Sequence, residues 1–397
     1  MSQNQNQHLE QDVVILGGGM VGAATAIGLA QLGLKVAVVE AFAPQAYSPE
    51  QPLDLRVSAI SVASEQLLQQ LGALDAIAAM RQVAYKGLET WELDGCQTQF
   101  HSDQVGATHL GHIVENRVVQ LALWQAFDKY DNLQLICPVN VDQFSRSEHG
   151  VRLRLSNNTS IDTRLLVGAD GANSQVRQWA GIGLTGWDYA QSAMLINIET
   201  QQEEQDVTWQ QFTPQGPRSL LPLPGRNASL VWYDDANRIA QLSGLSAEAL
   251  YEQINAHFPA RLDRAFKVVS HGSFKLTRRH AQRYYQDNVV ILGDAAHTIN
   301  PLAGQGVNIG FKDVAALIAS VKGAIDEQRS WWTQDVLAQY QRRRYGDNLL
   351  MMSTMDLFYA GFSNKNLPLK LLRNSALKIA NIDSPIKHKV LKYAMGL

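Results

Sequence analysis

The chain has 397 residues, which is long enough for two or more domains with a sizeable core. Hydrophobic residues make up 46% of the sequence and charged residues 18%, as in a folded globular protein, and the net charge of −3 gives no overall attraction to nucleic acid. The two cysteines, Cys96 and Cys137, are too few for a disulfide framework and form no metal-ligand pair. We therefore expect a reducing, cytoplasmic setting and no metal. The polar first twelve residues have no signal-peptide pattern.

Residues 13–34 carry no charged side chain and contain six glycines. Their length and hydropathy would suit a membrane span, but the glycines and the succession of strand, turn and helix favour a buried βαβ unit. Residues 17–22 have the pattern Gly-x-Gly-x-x-Gly, between a predicted strand at 13–16 and a predicted helix at 23–32. A second predicted strand ends on Glu40, at the distance expected for an acid that binds ribose hydroxyls.

This pattern predicts a dinucleotide site, although it does not separate FAD from NAD. The first glycine permits the tight turn, the second lets the backbone approach a pyrophosphate, and the third lets helix and strand pack closely. The residues predicted to bind the cofactor here are Gly17, Gly19, Met20, Val21, Gly22 and Glu40.

A second strand, turn and helix occupies residues 164–177, with Asp170 and Gly171 at the turn. Asp170 is placed to accept hydrogen bonds from backbone N–H groups. The sequence leaves two interpretations open for this corner, a purely structural turn or direct contact with a ligand. Ser174 or Asn173 is expected to cap the helix that follows.

The third informative stretch is residues 289–308, in which an apolar strand leads to Asp294 and then to a glycine-rich loop. An Asp at the carboxyl end of a strand can bind sugar or ribityl hydroxyls, and a glycine-rich loop before a helix lets N–H groups approach a ligand. The helix is predicted at 309–322. A structural role is expected for His297. The loop residues singled out are Pro301, Gly304, Gln305, Gly306, Val307 and Asn308.

Two arginines are further candidates. Arg56 could be an ordinary surface residue at a helix start or a ligand contact. Asn116 is a plausible N-cap for a helix reaching residue 130, which would put Arg117 in the first turn. A cation is disfavoured there by the helix dipole, so the position hints at a bound anion.

Residues 193–276 change character, because short strands are separated by Gly, Pro and Asn, which predicts a second, mostly antiparallel sheet. Its aromatic residues suit either the wall of an apolar pocket or a core; they are Trp209, Phe212, Trp232 and Tyr233. A helix is predicted at 335–356, with Arg342, Arg343 and Arg344 on its surface. Residues 363–397 have seven Lys or Arg against one acid, among many leucines, so this tail could lie on an anionic membrane, dock a partner or pack on its own domain.

The three stretches occur in the order and spacing of the class A flavoprotein monooxygenases, and the chain most resembles the ubiquinone-biosynthesis hydroxylases along its whole length. Residues 209–214, 277–281 and 355–364 carry the resemblance to the branch that acts on a demethoxyubiquinol. The resemblance implies an α/β fold with a Rossmann-like FAD-binding domain of the p-hydroxybenzoate hydroxylase type, an inserted antiparallel β-sheet substrate domain and a C-terminal helical region. The implied boundaries are 1–82, 110–182 and 280–350 for the FAD domain, 83–109 and 183–279 for the substrate domain, and 351–397 for the tail.

The resemblance also implies chemistry. FAD would be the cofactor, with O2 as co-substrate, NAD(P)H as reductant and a flavin C4a-hydroperoxide that hydroxylates a polyprenylated quinol ring. Arg56 and Arg117 would approach the flavin or its phosphates, Asp170 would shape the cleft, and Asp294 would bind the ribityl chain or pyrophosphate. Pro301 and residues 304–308 would line the flavin ring, and no acid or base is assigned. Two alternatives remain: hydroxylation of another ring position in the same pathway, or a non-catalytic flavin- or quinone-binding subunit.

Overall fold

The structure is a computed structural model, and it describes residues 7–148, 150–299, 304, 306–364 and 366–397. The strands within this part of the chain are β1 His8–Leu16, β2 Val36–Val39, β3 Val57–Ser61, β4 Val83–Tyr85, β5 Gly87–Trp91, β6 Thr98–His101, β7 Gly111–Glu115, β8 Leu133–Ile136, β9 Val141–Ser147, β10 Gly150–Leu155, β11 Ser160–Gly168, β12 Leu184–Thr200, β13 Val207–Gln211, β14 Arg218–Leu223, β15 Asn227–Asp235, β16 Phe266–Ala281, β17 Tyr285–Gln286, β18 Val289–Ile291 and β19 His297–Thr298.

Helices alternate with the strands in the first half of the chain and dominate its end. The α-helices are α1 Met20–Ala30, α2 Val62–Gln70, α3 Leu74–Met80, α4 Asn116–Phe127, α5 Gln175–Trp179, α6 Ala236–Ser243, α7 Ala247–His257, α8 Gly306–Asp326, α9 Gln334–Phe362, α10 Leu367–Ala380 and α11 Pro385–Ala394. Short 3-10 turns are found at Ser102–Val105 and Gly293–Ala295. Several ends differ from the predictions: α9 is longer than expected at its C-terminus, and α1 starts earlier.

The first sheet has the strand order β17-β18-β11-β1-β2-β8, with β9 and β10 added as an antiparallel hairpin beside β11. Its central pairs are parallel. Strand β2 and the last four residues of β1 are buried; α1 and α4 pack against this sheet, and α8 packs against α1. Residues 13–34 thus form the expected buried βαβ unit. Within the described residues, none of the helices combines the length and apolar character needed to cross a membrane.

The second sheet has the order β19-β16-β12-β15-β14-β13-β5-β6 and is antiparallel except where β13 pairs with β5. One face packs its apolar side chains, such as Trp209 and Trp232, against α6 and α7. The opposite face turns towards β3, β4 and β7 and the segment before β3. There, Leu221 packs near Ala59, and Asn197 donates to the backbone oxygen of Leu53 at 3.1 Å. Trp209 and Trp232 therefore pack in the core beneath α6 and α7, which is one of the two interpretations that the sequence left open.

A small sheet of the order β3-β7-β4 lies between these two layers. The C-terminal helix α11 returns to it, because Leu391 and Met395 pack with Tyr85 and Leu110, and the Ala63 N–H donates to the Met395 oxygen at 3.1 Å. The exact domain boundaries stay a prediction; β19, which the sequence assigned to the first domain, pairs with β16 of the second sheet.

Candidate active site

The glycines of the turn after β1 have different surroundings: two are packed against the protein's own backbone, and one has open space beside it. Gly17 has φ of +102°, and a Cβ there would lie 2.4 Å from the Ala169 oxygen. A Cβ on Gly22 would lie 1.9 Å from the Gly17 oxygen, so both positions need glycine for the protein's own packing. A Cβ on Gly19 would meet no heavy atom within 4 Å, although Gly19 caps α1. The backbone at Gly19 is therefore open to a ligand at the positive end of the helix.

Glu40 lies beside this turn, as predicted from its spacing. Its carboxylate accepts hydrogen bonds from the N–H groups of Gly18 at 2.6 Å and Phe42 at 3.0 Å. The Gly18 oxygen in turn accepts from Gln120 at 2.9 Å and from the Trp124 indole at 2.7 Å. These contacts fix the turn before any ligand arrives.

Val21 brings the first stretch against the third. A Cβ added to Gly293 would lie 3.1 Å from a Val21 methyl group, and one added to Gly310 would lie 2.7 Å from the other. Val21 is thus held between the turn that bears Asp294 and helix α8. Met20, which begins α1, packs partly buried against the same core.

Asp170 joins the second stretch to this site. One carboxylate oxygen accepts from the N–H groups of Gln175 at 2.7 Å and Val176 at 3.2 Å, so Asp170 helps to cap α5. Its other oxygen, Oδ1, is buried without a hydrogen-bond partner among the described residues. Burial raises the pKa of Asp170 despite these hydrogen bonds. Arg177 on α5 donates to the Ala295 oxygen at 2.9 Å and so ties the second stretch to the third.

Asp294 and Arg56 carry opposite charges and are close enough for Arg56 to counteract the rise in the pKa of Asp294. The Asp294 side chain is open to solvent, yet surrounding protein desolvates it and raises its pKa, against the opposing effects of His297 and Arg56. Accessibility together with enclosure describes a residue on the wall of a crevice. Arg56 is exposed immediately before β3, and its side chain has no hydrogen bond or ion pair with the described part of the chain. An unpartnered cation beside an enclosed carboxylate suits a ligand with both phosphate and hydroxyl groups.

Arg117 and Asn308 use their side chains within the protein. Arg117 makes two hydrogen bonds of 2.8 Å to the carboxylate of Asp54. The anion expected beside Arg117, from its position in the first turn of α4, is therefore Asp54. Glu115, rather than Asn116, occupies the N-cap position of α4, and Asn116 accepts a hydrogen bond from Ser58 at 2.7 Å. That cap prediction was wrong.

Asn308 lies in the first turn of α8 and joins it to β3 and α2. Its oxygen accepts from the Ser61 N–H at 3.0 Å and the Ser64 hydroxyl at 2.8 Å, while its amide donates to the Ala59 oxygen at 2.8 Å. All of this side chain's polar atoms are therefore used in bracing the loop.

At Gly304 the chain lies between the small sheet and the second sheet. Gly304 has φ of +68°, and a Cβ there would lie 3.4 Å from the Ala59 nitrogen and 3.8 Å from Leu221 on β14. Gly306 begins α8 with open space around its Cβ position, and Val307 is half-buried behind it. Pro301 and Gln305, both predicted to line the flavin, lie outside the described residues.

A buried ionic cluster supports the loop, and the sequence interpretation missed it. Asp313, with no solvent exposure, accepts from His297 at 2.5 Å, Arg344 at 2.8 Å and the Gly293 N–H at 3.1 Å. Burial would raise the pKa of Asp313, but His297 and Arg344 lower it to about 2. Arg344 is therefore buried, contrary to the prediction. The sequence signal for this cluster was Asp313 itself, because a charged residue four positions after Ile309 lies on the apolar face of α8 and needs a partner there.

Gly304 lies beside a surface of the second sheet that combines apolar and polar groups. Strand register puts Ser219 opposite Val231 and beside Gln210 on the same face as Leu221. The Ser219 hydroxyl donates to the Gln210 amide oxygen at 3.1 Å. Tyr233, farther along this face, has a buried hydroxyl without a hydrogen-bond partner among the described residues.

Comparisons with known proteins agree with this geometry. The FAD binding domain model matches residues 10–347. The chain is 47% identical to the 3-demethoxyubiquinol 3-hydroxylase of Escherichia coli over 97% of its own length and 98% of that protein. It is 33% identical to the ubiquinone hydroxylase UbiL of Rhodospirillum rubrum over 97% of this chain and 89% of that one. The crystal structure of the p-nitrophenol 4-monooxygenase PnpA from Pseudomonas putida shares the fold with a TM-score of 0.79 at 19% identity, covering 98% of this chain and 97% of that one.

The predicted fold class is confirmed by these matches. The residues also fit FAD, because the three turns converge on open backbone at Gly19 and Gly306, the unpartnered Arg56 cation and the buried, unsatisfied oxygen of Asp170. A dinucleotide would supply the phosphate and hydroxyl groups that these positions lack. The chain belongs to this family of FAD-binding proteins and is an FAD-dependent monooxygenase similar to the ubiquinone-biosynthesis hydroxylases.

Proposed function

We propose that the enzyme hydroxylates the ring of a polyprenylated benzoquinol in ubiquinone biosynthesis, at the demethoxyubiquinol step, with O2 as co-substrate and NAD(P)H as reductant. The observation that carries the proposal is 47% identity, over nearly the whole of both chains, to a relative whose name states that reaction. Hydroxylation of another ring position, and a non-catalytic flavin- or quinone-binding role, are the competing functions that the experiment below separates.

We propose the following cofactor roles for this chain's residues. The ADP half of FAD would lie along the first turn, with Glu40 at the ribose and Arg56 near the phosphates. Asp170 and Asp294 would bind hydroxyl or phosphate oxygens. Arg117 and Asn308 would act by positioning their segments, since their side chains are paired within the protein. The residues at the ADP half are Gly17, Gly19, Met20, Val21 and Gly22, and those at the ring are Pro301, Gly304, Gln305, Gly306 and Val307.

Bound FAD supplies the oxygen-activating chemistry. The protein's contribution is to place the substrate ring beside the contact between Gly304 and β14, where Leu221 excludes water. The pair Gln210 and Ser219 offers hydrogen bonds to a ring hydroxyl on that face. N–H groups in the first turn of α8 lie at its positive end and would stabilise negative charge.

An aromatic cleft offers a path for a prenyl chain. Phe212, which follows β13, stacks on Phe362 near the end of α9 with ring centroids 4.0 Å apart, and Phe358 stacks beside them. Gly216 and Pro217 complete the cleft on the sheet side. These groups are apolar, and Gly216 packs against Tyr233, so we propose that the tail leaves the ring site here.

The outer surface of α10 supports peripheral contact with the inner membrane face. This helix turns polar residues inwards: Arg373 pairs with the buried Glu92 at 2.7 Å, and Asn374 donates to the same carboxylate at 2.6 Å. Its leucines face outwards instead, with Leu371 57% and Leu372 68% exposed. An inverted arrangement of this kind leaves an apolar stripe in water unless something apolar covers it.

Charge indicates which surface would cover the stripe. Lys378, Lys389 and Lys392 are exposed, whereas Lys387 and Arg373 are used in contacts inside the protein. Exposed lysines beside exposed leucines match an anionic lipid surface, where each near-surface lysine contributes about 1 kcal/mol. A substrate with a prenyl tail would reside in the same lipid phase.

Liposome flotation tests this membrane contact. We expect Leu372→Glu to reduce flotation with anionic vesicles several-fold, because it places a charge in the apolar stripe. Val269→Glu is the matched control, since Val269 is 57% exposed on β16, away from the tail. Equal losses in the two variants, or none in either, would remove the membrane proposal and leave the hydroxylase proposal standing.

The hydroxylase proposal is tested with the purified flavoprotein, a short-chain demethoxyubiquinol analogue, NAD(P)H and isotopically labelled O2. We expect analogue-dependent NAD(P)H oxidation and mass-spectrometric incorporation of one labelled oxygen at the vacant ring carbon. Label at another carbon would identify the enzyme of a different ring position. Binding of the analogue without any hydroxylated product, with NADH, NADPH or a chemical reductant, would favour the non-catalytic subunit.

A further inference from the structure

We propose that Glu65, His109 and His112 form a binding site for one divalent transition-metal ion, with zinc the best match. The three residues offer donor atoms that all lie within 4.8 Å of one another. The ligand set of two imidazoles and one carboxylate is a common one for zinc, with a fourth position left for water. The site is separate from the proposed flavin site and does not depend on the proposed reaction.

Each donor is placed by a different element of the fold. His112 lies in β7, the central strand of the small sheet, and pairs with Ile60 on one side and Ala84 on the other. Glu65 is in the first turn of α2, and His109 is in the segment that enters β7. The sequence shows only the two histidines three positions apart; Glu65 is 44 positions from His109, so the third ligand becomes visible only in the fold.

The distances leave room for an ion after a small side-chain adjustment. The Glu65 carboxylate oxygens lie 2.8 Å from His109 Nε2 and 2.6 Å from His112 Nδ1. Tetrahedral zinc holds such donors about 3.3 Å from one another, since each metal–ligand bond is about 2.0–2.2 Å. The distances between the Glu65 oxygens and the histidine nitrogens must therefore increase by about 0.5–0.7 Å. Small rotations of the side chains can supply this without moving β7.

The charge at the site also favours a cation. Glu65 is buried, and no Lys or Arg pairs with its carboxylate among the described residues. A metal ion bound between Glu65 and the two histidines would supply the fixed positive charge that no described Lys or Arg provides here.

An outer hydrogen bond orients one ligand. The Thr108 hydroxyl lies 2.8 Å from His109 Nδ1, which leaves His109 Nε2 directed at Glu65. Metal-ligating histidines ordinarily have such a partner on their second ring nitrogen. The His109 side chain is 24% exposed, so solvent can reach the site and supply the fourth ligand.

Metal bound here would join α2 to β7. Glu65 follows Ser64, whose hydroxyl donates to Asn308 at the start of α8. The ion would therefore brace the helix that holds the glycine-rich loop, which assigns it a structural role.

The test uses the full-length flavoprotein, purified without a polyhistidine tag and stripped of metal, with zinc chloride or cobalt chloride as the probe. We expect one equivalent of zinc to bind in calorimetry, and cobalt to give the visible absorption of a four-coordinate site. Saturating zinc should raise the midpoint of thermal unfolding by about 2 °C or more.

His109→Ala and Glu65→Gln should each weaken zinc binding at least tenfold. His101→Ala is the matched control, because His101 is also paired with a carboxylate, Asp103 at 3.1 Å, but the described residues offer it no third ligand. Flavin content and circular dichroism verify that each variant is folded. Absence of zinc binding to the parent protein, or equal affinity in the His109→Ala and parent proteins, would establish the cluster as hydrogen bonding alone.

Discussion

Two glycines of the same turn are expected to fail in different ways when replaced by alanine. At Gly22 the added carbon would lie 1.9 Å from the Gly17 oxygen, against about 3.5 Å for a normal contact. The obstacle is backbone in a turn that already needs φ of +102° at Gly17, so it cannot move aside. We expect Gly22→Ala to cost about 3 kcal/mol or more of unfolding free energy, a large share of a typical domain's stability.

At Gly19 the same carbon would meet no heavy atom within 4 Å, and φ is −66°, which alanine readily adopts. The cost should be the loss of a good N-cap residue, below about 1 kcal/mol. If a pyrophosphate passes over this backbone, the methyl group instead overpacks the ligand by about 1–3 kcal/mol, which is roughly 5- to 150-fold in FAD affinity.

The assay measures both quantities on the same apoproteins. Urea unfolding gives the stability, and quenching of flavin fluorescence gives the FAD dissociation constant. Gly22→Ala should lose stability, whereas Gly19→Ala should keep its stability and lose affinity. A Gly19→Ala protein that binds FAD as tightly as the parent would show that the pyrophosphate does not cross this turn, and the proposed cofactor position would be wrong.

Three other variants test the site and its support. Asp294→Ala should be purified without bound FAD because the crevice loses its carboxylate, and a fully yellow preparation would contradict this. Arg344→Met should lower the unfolding free energy measured in urea by about 3–5 kcal/mol, because it leaves Asp313 buried without its arginine. The control Arg343→Met, at the exposed neighbouring position, should change it by less than about 0.5 kcal/mol. Similar values for the two variants would refute the importance of the cluster. Burial lowers the pKa of His280 from 6.5 to about 4. Below pH 6.5 the unfolded chain therefore binds a proton more readily than the folded protein, and stability falls as the pH is lowered to about 4. The unfolding free energy lost through His280 at pH 5 is about 2 kcal/mol. His280→Gln should therefore show a shallower loss of unfolding free energy between pH 7 and pH 5, and an unchanged slope would exclude His280 as the cause.

The aromatic residues of the second sheet show where prediction from sequence stopped. The strands there could be recognised, because alternation and turn residues act locally. Which face each aromatic residue occupies depends on what covers the sheet: α6 and α7 bury Trp209 and Trp232, while Tyr233 turns to the other side. The sequence also did not show which face of the basic tail packs on the protein. In the structure, Arg373 pairs with the buried Glu92, so the leucines of α10 are on the exposed side.

The sequence by itself determined the three turns, the α/β class and the family, because glycine spacing and apolar strands are set by neighbours along the chain. The cofactor roles of the named residues rest on that same pattern and stay predictions. Tertiary structure alone decided the partners of the charged groups: Asp54 for Arg117, Asp313 for Arg344, and the two histidines for Glu65. Each partner lies 31 or more positions away in the chain, and a buried charge selects its partner by proximity in space, which no local pattern encodes.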